Sequence, residues 1–405
     1  MNDVCNAPGL LPVEQAISNI LNSISATTLQ ETLDIHDCLE RILSTDIVST
    51  LNVPAYNNSA MDGYALCIQP DNLVYKQVGA VFAGDTYSDK LSPGQCVRIM
   101  TGAALPQGAN AVVMQENTSV DNDNITITAQ PKINENVRFA GEDIALNQVV
   151  LAKGCKLKTT DIGLLASLGI ATVSVFKKVK VAVFSTGNEL TYPGETLKPG
   201  AIFESNRAVL ITSLKSLGAE VIDLGIIPDD KALITEAFNT ADTQADAVIS
   251  SGGVSVGEAD FTKEVLEQIG RINFWKIAMK PGKPFAFGKL PNSYFFGLPG
   301  NPVSATITFK QLVVPALEKL AAQTQIAKKM RFSAKATTRI KKRPGRTDFQ
   351  RAIAEVSESG ELLVTPLAKQ GSGVLSSISQ ANCLIILPAQ SASLDANSMV
   401  NIEFL

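Results

Sequence analysis

The chain has a single histidine, His36, which excludes a histidine-built metal cage and a Ser-His-Asp relay. Its six cysteines, Cys5, Cys38, Cys67, Cys96, Cys155 and Cys383, are scattered without a CxxC pair. That spacing offers neither a disulfide framework nor a structural zinc site, and suits thiols kept reduced in the cytoplasm. Aromatic residues make up only 6% and charged residues 18%, with a net charge of −4, so nothing attracts the whole molecule to nucleic acid or to an anionic membrane. An anion site must therefore be local. No stretch reaches the roughly 18 uninterrupted apolar residues of a membrane span. The apolar run Gly9 to Val13 is flanked by Asp3 and Glu14 where an export signal wants basic residues. What the sequence does have is 45% apolar residues over 405 positions, enough for several folded modules rather than one core.

Val13, Ile17, Ile20, Leu21 and Ile24 recur at helical spacing after Pro12, so the chain is expected to open with an amphipathic helix. Between 46 and 143, short β-prone runs alternate with Gly, Pro and Asn turns, predicting a small β module inserted into a helical linking domain (1–45 and 144–177). From 178 to 326 the rhythm becomes strand, loop, helix, which predicts a doubly wound αβ domain with parallel strands. Ligands of such sheets sit beyond the strand carboxyl ends. Strand-like runs return over 327–405 and predict a C-terminal β-barrel or sandwich. The fold class is thus multidomain α/β.

Four loops of the αβ domain are candidates for chemistry. Ser185-Thr186-Gly187-Asn188-Glu189 exposes backbone amides beside a carboxylate. Ser251-Gly252-Gly253-Val254-Ser255 lets the backbone approach a phosphate, and Asp260 follows it as a metal ligand or helix cap. It is neither a Walker loop nor the dinucleotide fingerprint. Pro299-Gly300-Asn301-Pro302 reads as a helix start, with Asn301 as N-cap and free amides aimed at the strand ends. Lys276, Lys280 and Lys283 fall within eight residues, in a stretch stiffened by Pro281, Gly282 and Pro284. Asp229, after another strand, is placed to join Glu189 and Asp260 around a hard divalent cation. Each loop also has a plainer reading as a turn, a cap or a solvated basic segment. Three of them on one sheet edge favour a shared anion site.

The strings NSAMDGYA (58–65), RIMTGA (98–103), AGED (140–143), STGNEL (185–190), PDD (228–230), SGGVSVGEAD (251–260), MKPGKP (279–284) and GLPGNPVS (297–304) together resemble the molybdopterin molybdenumtransferase (MoeA) family, which includes the E domain of gephyrin. They span most of the chain in order. The resemblance implies an elongated four-domain subunit and a homodimer whose active site, in the αβ domain, is completed by the partner's β module. It implies insertion of molybdate into adenylated molybdopterin, with Mg²⁺-dependent release of AMP.

On matched positions, it implies catalytic roles for Asp62, Thr101, Asp143, Glu189, Asp229 and Asp260, the last three also holding Mg²⁺. Substrate contacts are implied for Ser185, Gly187, Gly252, Gly253, Ser255, Lys276, Lys280, Pro299, Pro302, Arg351 and Ser372. Cations and hydroxyls suit the molybdate oxyanion, and the substrate's own dithiolene supplies the soft ligands, so neither Cys nor His is needed. Transient contact with the adenylyltransferase or with cofactor-accepting enzymes is also implied. Two rivals are an adenylyltransferase, disfavoured by the extra β modules and Val254-Ser255, and a non-enzymatic scaffold, disfavoured by the intact carboxylate and lysine positions.

Overall fold

The computed structural model describes residues 9–253, 261–324 and 330–405. Its centre is a six-stranded sheet in the order Glu220–Ile227, Lys180–Thr186, Ala247–Ser251, Tyr294–Leu298, Pro284–Lys289, Arg271–Lys276. The first four strands are parallel and read as continuous apolar runs because helices cover both faces. Alternation along one strand divides the two layers. Val181 and Val183 face a cluster with Leu210, Leu214 and Leu317, whereas Ala182 and Phe184 face Ile234, Phe238 and Leu266. Phe238 lies edge-on to both Phe184 (5.1 Å) and Phe295 (5.4 Å).

The last two strands, which the sequence reading did not identify, each pair antiparallel with their neighbour. The physical reason is connection length: only residues 290–293 join Pro284–Lys289 to Tyr294–Leu298, too few for a parallel crossover.

The opening helix, Val13–Ser23, forms as its apolar spacing predicts, burying Val13, Ala16 and Ile20. These residues join the αβ cluster, and the Leu11 amide donates to the Lys276 carbonyl (2.8 Å). Gln30–Asp34 pairs antiparallel with Thr172–Phe176, and Ile47–Val48 with Val149–Leu151. With the helix Thr159–Ser167 they enclose a core around Leu43, Leu165 and Val175. Between these pairings the chain makes a separate six-stranded sheet, ordered Ala111–Met114, Gly63–Leu66, Gln95–Ile99, Val74–Val81, Asn124–Ile127, Thr118–Asp121.

At the C-terminal end Phe332–Ala336, Thr347–Val356, Leu362–Pro366, Cys383–Leu387 and Met399–Phe404 close into a five-stranded barrel, with Thr347–Val356 pairing on both sides. The two-residue strand Met279–Lys280 adds parallel to Thr347 and Asp348, stitching the αβ domain to the barrel.

Candidate active site

The four parallel strands end at one edge, and their loops enclose a cleft of about 740 Å³ lined by Ser185, Thr186, Gly187, Glu189, Asp229, Ser251, Gly252, Gly253 and Pro299 to Pro302. Its position is the one an open α/β sheet gives its ligand. The paired glycines are there by necessity. Gly252 and Gly253 adopt φ of +92° and +64°. A Cβ on Gly253 would lie 2.2 Å from Thr262 Oγ1, and one on Gly252 would lie 2.8 Å from the Thr186 carbonyl. Only a bare backbone fits, and a bare backbone is what a phosphate can approach.

Two carboxylates share this cleft. The Glu189 side chain folds back over Gly187, where a Cβ would meet Oε2 at 2.5 Å. Asp229 is locked to the same loop by a reciprocal pair: the Asn188 amide donates to Asp229 Oδ2 (3.2 Å), and the Asp229 amide donates to Asn188 Oδ1 (3.1 Å). Helix capping falls to the neighbouring Asp230, whose Oδ1 accepts from the Ala232 and Leu233 amides at 2.9 and 3.0 Å. Asp229 therefore keeps a carboxylate facing the cleft, and among the described residues neither it nor Glu189 has a cationic partner. Asp260 and Ser255 lie outside the described residues. Among the described residues no three acidic, Cys or His groups converge into a cage. Two carboxylates beside a phosphate cradle fit Mg²⁺, which takes few protein ligands and shares the rest with water and substrate phosphates.

Sequence reasoning missed the residues that brace the cleft. Glu204 is 4% exposed, and its Oε1 accepts from Ser185 Oγ (3.0 Å) and the Arg207 amide (2.7 Å). Asn206 Nδ2 donates to both Ser251 Oγ (2.7 Å) and the Gly300 carbonyl (2.8 Å), clasping the glycine loop to the proline loop. Among the described residues its buried Oδ1 has no partner. Both residues sit where the sequence shows an ordinary helix start, Glu204 just before and Asn206 at the first position of Asn206–Ser216.

The lysines and the barrel residues stand apart from the cleft lining. Lys276 is exposed at the end of the strand Arg271–Lys276. Lys280 is half-exposed, with Nζ 3.8 Å from Asp348 Oδ2; the other oxygen, Oδ1, faces the fully buried Lys342 at 3.4 Å.

Arg351, expected as an anion donor, is 1% exposed. Nε donates to Ser377 Oγ (3.0 Å) and Nη2 to the Gly371 carbonyl (3.0 Å), so the guanidinium pins the 369–371 loop instead of facing solvent. The next carbonyl, of Ser372, accepts from the Val303 amide (3.0 Å), joining that loop to the helix behind Pro302. Contrary to the expectation of free amides, one at this helix start is thus engaged, and Asn301, although at the N-cap position, makes no side-chain cap bond.

The β-module residues line no part of their own chain's cleft. Asp62 Oδ1 accepts from both the amide and the hydroxyl of Thr101, each at 2.7 Å, which draws those two together and holds the carboxyl below its usual range. Asp143 is exposed on the return segment, its amide bonded to the Val53 carbonyl (3.1 Å).

By class, this is a multidomain α/β enzyme with a phosphate-suited cleft at the strand carboxyl ends. Three family profiles match in order: "MoeA N-terminal region (domain I and II)" over residues 11–169, "Probable molybdopterin binding domain" over 182–319 and "MoeA C-terminal region (domain IV)" over 333–405. A molybdopterin molybdenumtransferase of Haemophilus influenzae is 47% identical over 97% of this chain and 98% of its own length. Gephyrin of Dictyostelium discoideum is 33% identical over 96% of this chain and 62% of its own. A crystal structure of a molybdopterin biosynthesis MoeA protein from Pyrococcus horikoshii superimposes with a TM-score of 0.86 at 28% identity, covering 98% of this chain and all of that one. The chain belongs to the molybdopterin molybdenumtransferase (MoeA) family.

Proposed function

We propose that this chain transfers molybdenum from molybdate into adenylated molybdopterin and releases AMP. The observation that carries the proposal is the cleft itself: paired glycines, two carboxylates without cationic partners, and a rim of prolines, on one edge of the sheet.

The backbone at Gly252 and Gly253 takes the phosphate bridge between pterin and adenylate, because no Cβ bars its approach. Glu189 and Asp229, with Asp260 from the segment that follows the glycine loop, are the residues that would hold Mg²⁺. A divalent cation held by these carboxylates would supply charge neutralisation for the departing AMP. Ser185 and Gly187 fix the near wall, and Pro299 and Pro302 the far one, with Ser255 adding a hydroxyl to the cradle.

Lys276, Lys280 and Ser372 receive the molybdate oxyanion by charge and hydrogen bonding. Arg351 acts through the loop that it pins, setting Ser372 beside Pro302. Asp62, Thr101 and Asp143 contribute to the cleft of a second copy, since they lie away from their own. This reading makes the working unit a homodimer with a composite site. It divides each chain into 1–45 with 144–177, 46–143, 178–326 and 327–405. It also places the enzyme in the cytoplasm, in passing contact with the adenylyltransferase and the cofactor-accepting enzymes. Neither nucleic acid nor membrane takes part, and no helix of the described residues is long and apolar enough to cross a bilayer.

The test is to incubate the protein with adenylated molybdopterin, Mg²⁺ and molybdate, then measure molybdenum on the recovered pterin. One molybdenum gained per AMP released is expected. AMP formed without molybdenum on the pterin contradicts the proposal.

A further inference from the structure

The cleft carries an apolar feature that its charged and glycine residues leave unused. Phe203 and Phe261 both line it, and both present their rings to solvent, 47% and 37% exposed. Solvated Phe side chains forgo hydrophobic burial, so two of them lining one polar cleft offer apolar surface to whatever ligand fills it.

Their backbones are held firmly. Ile202–Phe203 pairs parallel with Leu190–Thr191, the Ile202 amide donates to the Glu189 carbonyl (2.8 Å), and the Glu204 amide donates to the Thr191 carbonyl (3.0 Å). The buried Glu204 next in sequence is anchored to Ser185. Phe261 begins the helix Phe261–Ile269, and its neighbour Thr262 is 2% exposed against Gly253. The backbone that carries each ring is therefore preorganised, beside the phosphate cradle and the Glu189 loop, so only side-chain freedom is lost when the ring is covered.

We infer that Phe203 and Phe261 form a stacking platform for a flat heteroaromatic ring carried on the same molecule as the phosphates. This deepens the proposed function, resting on the cleft as the site of adenylated pterin, which bears two such rings. Stacking tolerates either ring because each offers a π face, while the phosphates fix the register.

The test reads binding rather than turnover, so it separates from the transferase assay. Dissociation constants of AMP, molybdopterin and ribose 5-phosphate are measured by calorimetry for the wild-type chain and for Phe203→Ala, Phe203→Leu, Phe203→Tyr and Phe261→Ala. The platform predicts that Phe203→Ala and Phe261→Ala weaken AMP or molybdopterin about tenfold. Phe203→Leu is weakened nearly as much, Phe203→Tyr binds like wild type, and ribose 5-phosphate is indifferent throughout. Equal losses for ribose 5-phosphate, unchanged affinity for both ring-bearing ligands, or a wild-type chain that binds neither more tightly than ribose 5-phosphate overturns the inference. Failure of molybdate-dependent AMP release, with the ring selectivity intact, would remove the transferase reading and leave the platform standing.

Discussion

Asn206→Ala separates folding from function at the cleft. The side chain spends its two amide hydrogens on Ser251 Oγ and the Gly300 carbonyl, and leaves Oδ1 buried with no donor among the described residues. Truncation forfeits two hydrogen bonds worth about 1 kcal/mol each, but removes an unsatisfied acceptor that costs about 1–3 kcal/mol. The small cavity left behind adds a comparable cost, so the net change in stability is expected to stay under about 2 kcal/mol. Binding behaves differently. Without the clasp, the glycine and proline loops must be ordered by the ligand itself. Fixing two backbone residues at about 1 kcal/mol each weakens affinity by about 2 kcal/mol, roughly 30-fold. The assay is AMP binding by calorimetry beside thermal unfolding, for Asn206→Ala, Ser251→Ala and the double variant. Because both single changes break the same Asn206–Ser251 bond, their effects on AMP affinity should be less than additive. Wild-type AMP affinity in Asn206→Ala, or strict additivity in the double variant, would refute the reasoning.

Other predictions follow from the same structure. Lys342→Met removes the buried cation beside Asp348, which is 2% exposed, and leaves it only the half-exposed Lys280 at 3.8 Å, so it should destabilise the barrel by about 3 kcal/mol; a denaturant midpoint equal to wild type would contradict this. Thr101 holds the Asp62 pKa down, first through its amide and then through its hydroxyl. That contribution is complete above the unfolded-state pKa and disappears as pH falls through the lower folded value, so Thr101→Val should raise the Asp62 titration midpoint by NMR. Burial pushes the Cys96 thiol up to about 12 and Cys383 up to about 11, so neither should react with a thiol reagent at neutral pH until the chain unfolds.

How much was legible in the sequence depended on whether neighbours in the chain decide a residue's environment. The strand Lys180–Thr186 reads correctly because an unbroken apolar run bounded by Lys and Gly has few other homes. The antiparallel strands Arg271–Lys276 and Pro284–Lys289 were hidden by their lysines and prolines, which mimic a loop. Within the site, the glycine pair and the carboxylates announce themselves through local chemistry, and the structure gathers Glu189, Asp229, Gly252 and Gly253 into one cleft. Glu204 and Asn206 were invisible because a polar residue at a helix start is ordinarily a cap, and only tertiary contacts reveal burial. Arg351 illustrates the converse: a guanidinium reads as solvent-facing until the carbonyl at residue 371 is brought to it.

The central claim is that the cleft carboxylates serve the release of AMP and not the binding of pterin. The most direct measurement is molybdate-dependent AMP release from adenylated molybdopterin by the wild-type chain, Glu189→Gln and Asp229→Asn, with molybdopterin affinity measured alongside. The account predicts release by wild type and a loss of at least about 100-fold in either variant, with pterin affinity within about threefold of wild type. Undiminished release by folded Glu189→Gln and Asp229→Asn, or pterin binding lost in step with release, would contradict it.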